Sequence, residues 1–439
     1  MREVRGPFRG GGRVGEGVLT AGLSRAAGVL HCEGVPLEAI AAAAGTPTYV
    51  YSAGAIRESF ERLRRALSPV PHRVHYSVKA NSNLAVLRLL HELGAGVDIV
   101  SGGELFRARR AGFAGKDIVF SGVGKTTTEL REALGAGVLM VNVESESELE
   151  LLDRIAGEMK TTAPVALRVN PEVEVDTHHY IKTGTRGDKF GIPVGEALAV
   201  AKRALKMPNV RLLGLDMHIG SQLSHLDPYR EGVRRLLALH DTLRADGAND
   251  IKYVAIGGGL AVTYDTEMPM DAQAFADAVL PLVAPTGLTL LVEPGRFLVG
   301  NAGALIARVL YRKRNGDTEF VIIDAGMNDL LRPSHYGAFH MVEAVRPRGG
   351  RLTADVVGPV CESGDFVALE RDMDSVEPGD LVAIRSAGAY GYVMASNYNA
   401  RPRAAEVLVD GDRFAIVTAR ERYEDLVRLE PDAPVWRTS

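Results

Sequence analysis

His72-Arg73-Val74-His75-Tyr76-Ser77-Val78-Lys79-Ala80-Asn81-Ser82 is the stretch on which the reading of this 439-residue chain turns. Val74, Tyr76 and Val78 alternate with other residues, which is the period of a strand. The strand stops at Lys79, and Asn81-Ser82-Asn83 reads as a turn and a helix cap. A lysine at the carboxyl end of a strand, just ahead of a helix, stands where parallel α/β proteins bind their ligands. A lysine that a pocket keeps neutral can form a Schiff base with a carbonyl. Taken alone, the segment fits a surface lysine at a strand end better, so its neighbours have to decide.

Outward from this strand the chain alternates strand-like and helix-like runs. The strand candidates are Val74–Lys79, Val97–Ser101, Ile118–Gly122, Val138–Val143, Val165–Asn170, Leu212–Ile219, Tyr253–Gly258 and Leu288–Pro294. Helical stretches such as Leu84–Leu93, Glu104–Ala111 and Ser147–Ile155 separate them. This alternation implies a parallel sheet. The number of strands is what a closed (β/α)8 barrel of the TIM type needs. A doubly wound open sheet fits the same alternation. We assign residues 48–300 to the barrel, counting Thr48-Tyr49-Val50-Tyr51 and the amphipathic helix after it as its entry.

Beyond residue 300 short, turn-bounded strands follow one another without helices. Examples are Leu305–Tyr311, Phe320–Asp324, Ala354–Val357, Phe366–Leu369, Leu381–Ile384 and Ala405–Val409. Residues 301–439 therefore form a second, all-β domain of sandwich or barrel type, with a helical segment at its C-terminal end. Residues 29–47 read as a short strand near Leu30 and an alanine-rich helix, possible partners of the β domain. Residues 1–28, rich in Gly and Arg, read as a flexible tail. Gly10 to Gly15 match G-x-G-x-x-G formally, but no strand precedes them, so they are not a dinucleotide site.

Composition narrows the function classes. The chain carries 51 basic and 55 acidic residues, a net charge of -4, and is 46% hydrophobic and 24% charged. No basic footprint for nucleic acid stands out, and no apolar run approaches the roughly 20 residues of a membrane span. The start leads into glycines and not into an apolar signal core. Cys32 and Cys361 are the only cysteines, which fits a reduced, cytoplasmic protein. His178-His179 has no metal-ligand partner at a useful spacing, so no metal is expected.

The strand ends provide the test of the barrel, because there its chemistry collects. They carry Lys79, Asp98, Ser101, Ser121, Arg168, Asn170, His218, Ser221, Gly257-Gly258-Gly259 and Glu293-Pro294-Gly295-Arg296. A lysine, a histidine, a glutamate and two arginines in one ring suit an anionic cofactor. The glycine triplet would let backbone N–H groups approach a phosphate, and a plain tight turn fits it equally well. Ser121-Gly122-Val123-Gly124-Lys125-Thr126 lacks the first glycine of a P-loop and reads as a βα loop. In the β domain, Gly358-Pro359-Val360-Cys361-Glu362-Ser363-Gly364-Asp365 sets a thiol beside a carboxylate in a turn, an acid–base pair if exposed in a polar cleft. The loops Leu331–Tyr336 and Gly388–Tyr392 carry Arg332, Tyr336 and Tyr390 beside turn formers, groups able to hold carboxylates or phosphate.

From about His31 to the C-terminal region the chain resembles the pyridoxal-phosphate decarboxylases with an alanine-racemase-like barrel. The matching stretches are Tyr76–Asn81, Asp98–Glu104, Lys189–Ile192, Met217–Gln222, Ile256–Leu260, Glu293–Arg296, Cys361–Asp365, Gly388–Gly391 and Ser396–Asn399, and their shared order is specific. The resemblance implies pyridoxal 5'-phosphate held by Lys79 as a Schiff base, with His218 stacked on its ring and Glu293 on the pyridine nitrogen. It implies a phosphate cradle of Ser221, Gly258, Gly259, Gly295 and Arg296, with Tyr390 reaching in from a partner subunit. Substrate groups would be held by Arg296, Arg332, Tyr336, Glu362 and Tyr390. Cys361, also from the partner, would donate the proton. Asp98, Glu104 and Arg168 would support these from behind. The assembly implied is a homodimer with shared active sites.

A carboxylate at Glu293 raises the pKa of the ring nitrogen and keeps it protonated, which favours decarboxylation over racemisation. Two arginines beside an acid suit a substrate with a second amino-acid head. Within the resemblance this points to meso-2,6-diaminopimelate going to L-lysine and CO2, the last step of lysine biosynthesis. A decarboxylase of another diamino acid, of the ornithine, arginine, lysine or carboxynorspermidine type, is the alternative.

Overall fold

The computed structural model describes residues 22–173, 187–223, 225–265, 267 and 271–437. The chain divides into two compact units. One comprises Ala55–Thr263 and Glu267–Gly300, the other Met1–Gly54, Tyr264–Thr266 and Asn301–Ser439.

The first unit is a closed barrel of eight parallel strands: His72–Ser77, Gly96–Ile99, Ile118–Phe120, Met140–Val143, Ala163–Asn170, Val210–Asp216, Tyr253–Ala255 and Thr289–Val292. Each pairs in parallel with the next, and the last returns to the first through Val292 opposite Val74. Every strand predicted for the barrel is present, and the open-sheet alternative is excluded by closure. Val119, Met140, Ala166, Ala255 and Leu291 fill part of the interior as one apolar cluster. The helices bury one stripe each, as Leu84–Glu92 does with Val86, Leu87, Leu89 and Leu90. That spacing is the one a helix needs to cover a sheet.

Register fixes which strand-end residues meet. Ser77 lies opposite Asp98, and Asp216 lies opposite Arg168.

The second unit is built on a nine-stranded mixed sheet. One path through it runs Phe366–Asp374, Arg351–Val357, Thr318–Ile323, Gly303–Asn315, Thr48–Ser52, Ala405–Asp410 and Arg413–Thr418. Leu381–Ile384 also pairs with Gly303–Asn315, and Val342–Ala344 pairs with Leu381–Ile384. A helical turn at Tyr423–Val427 lies near the C-terminal end.

Thr48–Ser52 corrects the boundary drawn at residue 48. It pairs antiparallel with Gly303–Asn315 and parallel with Ala405–Asp410, so it belongs to the β unit, and the barrel unit begins at Ala55. The end of the proposed tail is also corrected. Leu23–Ala26 forms a hairpin with Val29–Cys32, and Val35–Pro36 adds a third strand. This small sheet does not extend the large one, although Leu30 N–H donates to the Val345 carbonyl at 2.8 Å. Leu30, Cys32, Leu37 and Ile40 pack with Val50, Ile306, Val345 and Val407 in one core cluster. Burial of such side chains contributes about 1.5–3 kcal/mol each, enough to seat the segment.

Candidate active site

The strand His72–Ser77 ends just before Lys79, which sits in the 3-10 turn Val78–Ala80. Asn83 caps the next helix, its side chain accepting from Ala85 N–H at 2.9 Å. The turn aims Lys79 at the second strand. Its Nζ lies 3.2 Å from Asp98 Oδ2, and Ser77 Oγ lies 2.9 Å from the same oxygen. Burial pushes the Asp98 carboxyl up. The Lys79 charge and hydrogen bonds from Ser121, Ser77 and Lys79 outweigh it and hold Asp98 below the usual carboxylate range. Asp98 is therefore an ionised anchor for the Lys79 ammonium. Glu104 closes the same corner by accepting from Val100 N–H at 2.8 Å, and burial pushes it up to about 7 against that bond.

Across the barrel mouth Arg168 is buried between acids. It donates to Glu144 Oε1 at 2.7 Å, stands 3.9 Å from Asp216 Oδ2, and lies over the Phe190 ring at 5.1 Å. Burial pulls its pKa down, but Glu144, Asp216 and Glu293 together hold it above the ordinary value. Glu144 also accepts from Gly122 N–H at 2.9 Å and Gly191 N–H at 3.0 Å, tying three loops to one carboxylate. Burial pushes Asp216 up to about 7 although Arg168 opposes it.

The exits of the sixth, seventh and eighth strands supply the remaining groups. Gly257 and Gly259 have φ of 69° and 96°, the region that favours glycine. A Cβ at Gly258 would sit 2.3 Å from the Glu293 carbonyl, and one at Gly259 would sit 2.4 Å from the Gly220 carbonyl. The turn therefore presents bare backbone. Tyr229 donates to the Gly258 carbonyl at 2.8 Å, and Gly258 N–H donates to His218 Nδ1 at 3.2 Å. Burial pushes His218 down to about 3, helped by Arg168 and Lys79, so its ring is neutral with the proton on Nε2. Arg296 Nη2 donates to Ser221 Oγ at 3.2 Å. Gly295 packs on the Lys79 turn, where a Cβ would meet that of Ala80 at 3.0 Å.

Glu293 is the electrostatic centre. Its backbone is pinned, with N–H donating to the Gly257 carbonyl at 2.8 Å and Ser77 Oγ 3.0 Å from its own carbonyl. Its side chain is buried, and Oε1 finds no hydrogen-bond partner among the described residues. Burial, with Asp98 and Asp216 adding, pushes its pKa well above the usual range.

The β unit carries the other predicted residues. Cys361 is exposed, and its N–H donates to Asn399 Oδ1 at 2.9 Å. Asp365 holds the loop by accepting from Val360 N–H at 2.6 Å and Met327 N–H at 2.5 Å. Glu362 is exposed beside Tyr398, whose phenol it accepts from, raising the phenol's pKa. Tyr390 has φ of 55° and Tyr336 is half-buried. Arg332 is buried and opens the short helix Arg332–Tyr336.

Residues 53–300 match the family model for the pyridoxal-dependent decarboxylases, pyridoxal binding domain. The diaminopimelate decarboxylase of Pseudomonas aeruginosa is 50% identical over 406 residues, spanning 92% of this chain and 97% of the relative. That of Neisseria meningitidis serogroup A is 48% identical over 402 residues, spanning 91% and 98%. The chain belongs to the diaminopimelate decarboxylase family. Among solved structures, the diaminopimelate decarboxylase of Helicobacter pylori complexed with L-lysine superposes with a TM-score of 0.87 at 39% identity, covering 90% of this chain and 99% of that one.

Members of this family are pyridoxal-dependent lyases, and the cofactor is pyridoxal phosphate. The residues present fit it. The buried Glu293 carboxyl has one oxygen without a hydrogen-bond donor among the described residues, and a protonated pyridine nitrogen provides one. The bare backbone at Gly258 and Gly259 and the Ser221–Arg296 pair suit a phosphate.

Sequence reasoning missed Glu144, Asp216 and Ser77 as members of the site. Asp216 ends its strand, which the predicted boundary at Ile219 hid. Glu144 follows its strand directly, where an acid also reads as a loop residue. The Ser121–Thr126 segment is a βα loop ending in a Thr126–Glu129 capping box, as predicted for a βα loop. Among the described residues no group of three or more acids, histidines and cysteines could hold a metal, and His178-His179 lies outside them.

Proposed function

We propose that this chain decarboxylates meso-2,6-diaminopimelate to L-lysine, the last step of lysine biosynthesis. The observation that carries it is the buried Glu293 carboxyl, with one oxygen lacking a hydrogen-bond partner among the described residues, at the exit of the strand that pairs with the one leading to Lys79, in a chain about half identical to diaminopimelate decarboxylases. Bound pyridoxal phosphate supplies an electron sink for the pair released when CO2 leaves. Lys79 binds the cofactor through its amine, and Asp98 orients that amine. Glu293 keeps a proton on the pyridine nitrogen, and as counterion to that charge it ionises despite burial. His218 offers a neutral ring face, so it does not compete with Glu293 by adding charge. Ser221, Gly258, Gly259, Gly295 and Arg296 bind the phosphate, with Tyr390.

Arg296, Arg332, Tyr336 and Tyr390 take the substrate's distal carboxylate and Glu362 its ammonium. Cys361 delivers a proton to the carbon that has lost its carboxyl. Glu104 and Arg168 fix Asp98 and Glu293 from behind. The working molecule is a homodimer in which Cys361 and Tyr390 serve the partner's barrel, a reading supported by the exposure of Cys361 in the single chain. The reaction belongs in the cytoplasm, in keeping with two free cysteines and with no helix among the described residues long and apolar enough to cross a membrane.

The test is CO2 release by the pure holoenzyme from a panel of diaminopimelate, lysine, ornithine, arginine and carboxynorspermidine. Diaminopimelate should be turned over with the highest kcat/KM. A higher value for any other member of the panel overturns the assignment.

A further inference from the structure

Lys125, the lysine of the loop Ser121–Thr126, turns inward, and its side chain is wholly buried. Its Nζ donates to the Gly122 and Asn142 carbonyls, each at 2.7 Å, and to Glu148 Oε1 at 2.6 Å. An ammonium has three protons, and these acceptors use all of them. Gly122 lies just past the third barrel strand and Asn142 within the fourth. Lys125 therefore clamps the exits of two neighbouring strands together.

The clamp holds two polar side chains in place. Ser121 and Asn142 are both buried, and Asn142 Nδ2 donates to Ser121 Oγ at 3.1 Å. The Ser121 oxygen is thereby engaged as an acceptor, which leaves its proton for a neighbour on the other side. Asp98 is that neighbour. It lies opposite Val119 in the strand pairing, and Ser121 N–H continues the pairing by donating to the Ile99 carbonyl at 2.8 Å. Val119 and Ser121, two residues apart, project to the same side.

The Asp98 carboxylate has a use for this donor. Its Oδ2 takes Lys79 Nζ and Ser77 Oγ. Ser77 has one proton and also lies 3.0 Å from the Glu293 carbonyl, so it serves two acceptors. Asp98 Oδ1 is buried and meets no donor at full hydrogen-bond geometry among the described residues. Ser121 supplies the further hydrogen bond to this carboxylate.

We propose that Ser121 is a positioning residue for Lys79: it fixes the Asp98 carboxylate that orients the lysine amine, and Asn142 and Lys125 hold it there. This rests on the reading of Lys79 as the cofactor anchor. In attachment the Lys79 ammonium gives up a proton, its nitrogen forms a C=N bond with the aldehyde carbon, and water leaves. A carboxylate stabilised by hydroxyl donors holds the ammonium proton less tightly, and an amine kept in one direction reacts faster.

The experiment mixes full-length apoenzyme with pyridoxal 5'-phosphate and follows the visible band of the bound cofactor. It compares wild type, Ser121→Ala, Ser121→Thr, Asn142→Leu and the double variant Ser121→Ala with Asn142→Leu. Pyridoxine 5'-phosphate, which has no aldehyde and cannot join Lys79, is titrated in parallel and reports that each variant is folded. Ser121→Ala should slow the band by about tenfold and leave pyridoxine 5'-phosphate affinity unchanged. Ser121→Thr keeps the hydroxyl and should restore most of the rate. Asn142→Leu should lose less, and the double variant should be no slower than Ser121→Ala, because Asn142 acts through Ser121. Equal weakening of both ligands in Ser121→Ala overturns the proposal, as does a wild-type rate in that variant. So does a double variant slowed by the product of the two single losses. A band that still develops in Lys79→Ala overturns the underlying reading of Lys79 instead.

Discussion

Glu293 and His75 are two buried ionisable groups in one barrel with opposite consequences. Glu293 Oε1 has no hydrogen-bond donor among the described residues, and the cofactor is expected to complete it. Replacing it with Gln keeps the shape and removes the counter-charge. We expect kcat to fall by about 100- to 1000-fold, the scale of losing one preorganised electrostatic group, while the cofactor's visible band persists. Steady-state rates settle this, and a loss under tenfold would contradict the role. His75 lies on the Lys79 strand, with neither ring nitrogen hydrogen-bonded among the described residues. Burial, with Arg73 adding, holds it at about 3. The unfolded imidazole titrates near 6.5. Between those values the unfolded chain binds a proton that the folded chain refuses, so stability present above about pH 6.5 is lost as pH falls. His75→Leu should lose less of its urea midpoint than wild type between about pH 7 and pH 5. An equal loss would show that other groups govern acid stability.

The same residue scale shows what was legible. Lys79, His218 and Glu293 could be read because each stands at a strand exit, in a set order along the chain. Glu144 and Asp216 could not, because an acid at a strand end gives no sign of the arginine it meets. Asp216 meets Arg168 only through the register of two strands joined by a long connection.

At the scale of elements, the turn after the strand Tyr253–Ala255 makes the firmest demand on sequence. Gly259 has φ of 96° and no room for a Cβ. Gly259→Ala should destabilise the turn by about 1–3 kcal/mol and weaken pyridoxal phosphate binding more than it lowers Tm, since the strain falls on the proposed cradle. Cofactor titration of the apoenzyme alongside a thermal melt separates the two, and unchanged affinity would remove the turn from the site. The eight barrel strands are legible because each is apolar, short and followed by a helix. Thr48–Ser52 has the same local signature and misleads, since its partners lie hundreds of residues downstream. Arg413–Thr418 escapes recognition because Phe414 and Ile416 are exposed and no buried face marks the strand.

For the whole molecule, the proposed division of one reaction between subunits has a direct check. Lys79→Ala lacks the cofactor anchor and Cys361→Ala the proton donor. If each active site draws them from different chains, a refolded mixture contains hybrid dimers with one intact site. Activity should return to about a quarter of wild type, since half the dimers are hybrids with one of two sites restored. Two inactive parents that stay inactive after mixing would place both residues in one chain.

The strand Thr48–Ser52 also has a consequence in time. It lies between Gly303–Asn315 and Ala405–Asp410, so this segment waits for one made hundreds of residues later. At about 5–20 residues per second, the delay is roughly 20 seconds to over a minute. By the end of that interval the whole barrel has left the ribosome, whereas Tyr49, Val50 and Tyr51, buried in the finished protein, still lack a complete sheet to join. The nascent chain must therefore carry an incompletely paired, apolar strand until Ala405–Asp410 is made, which exposes that strand to misassociation during synthesis.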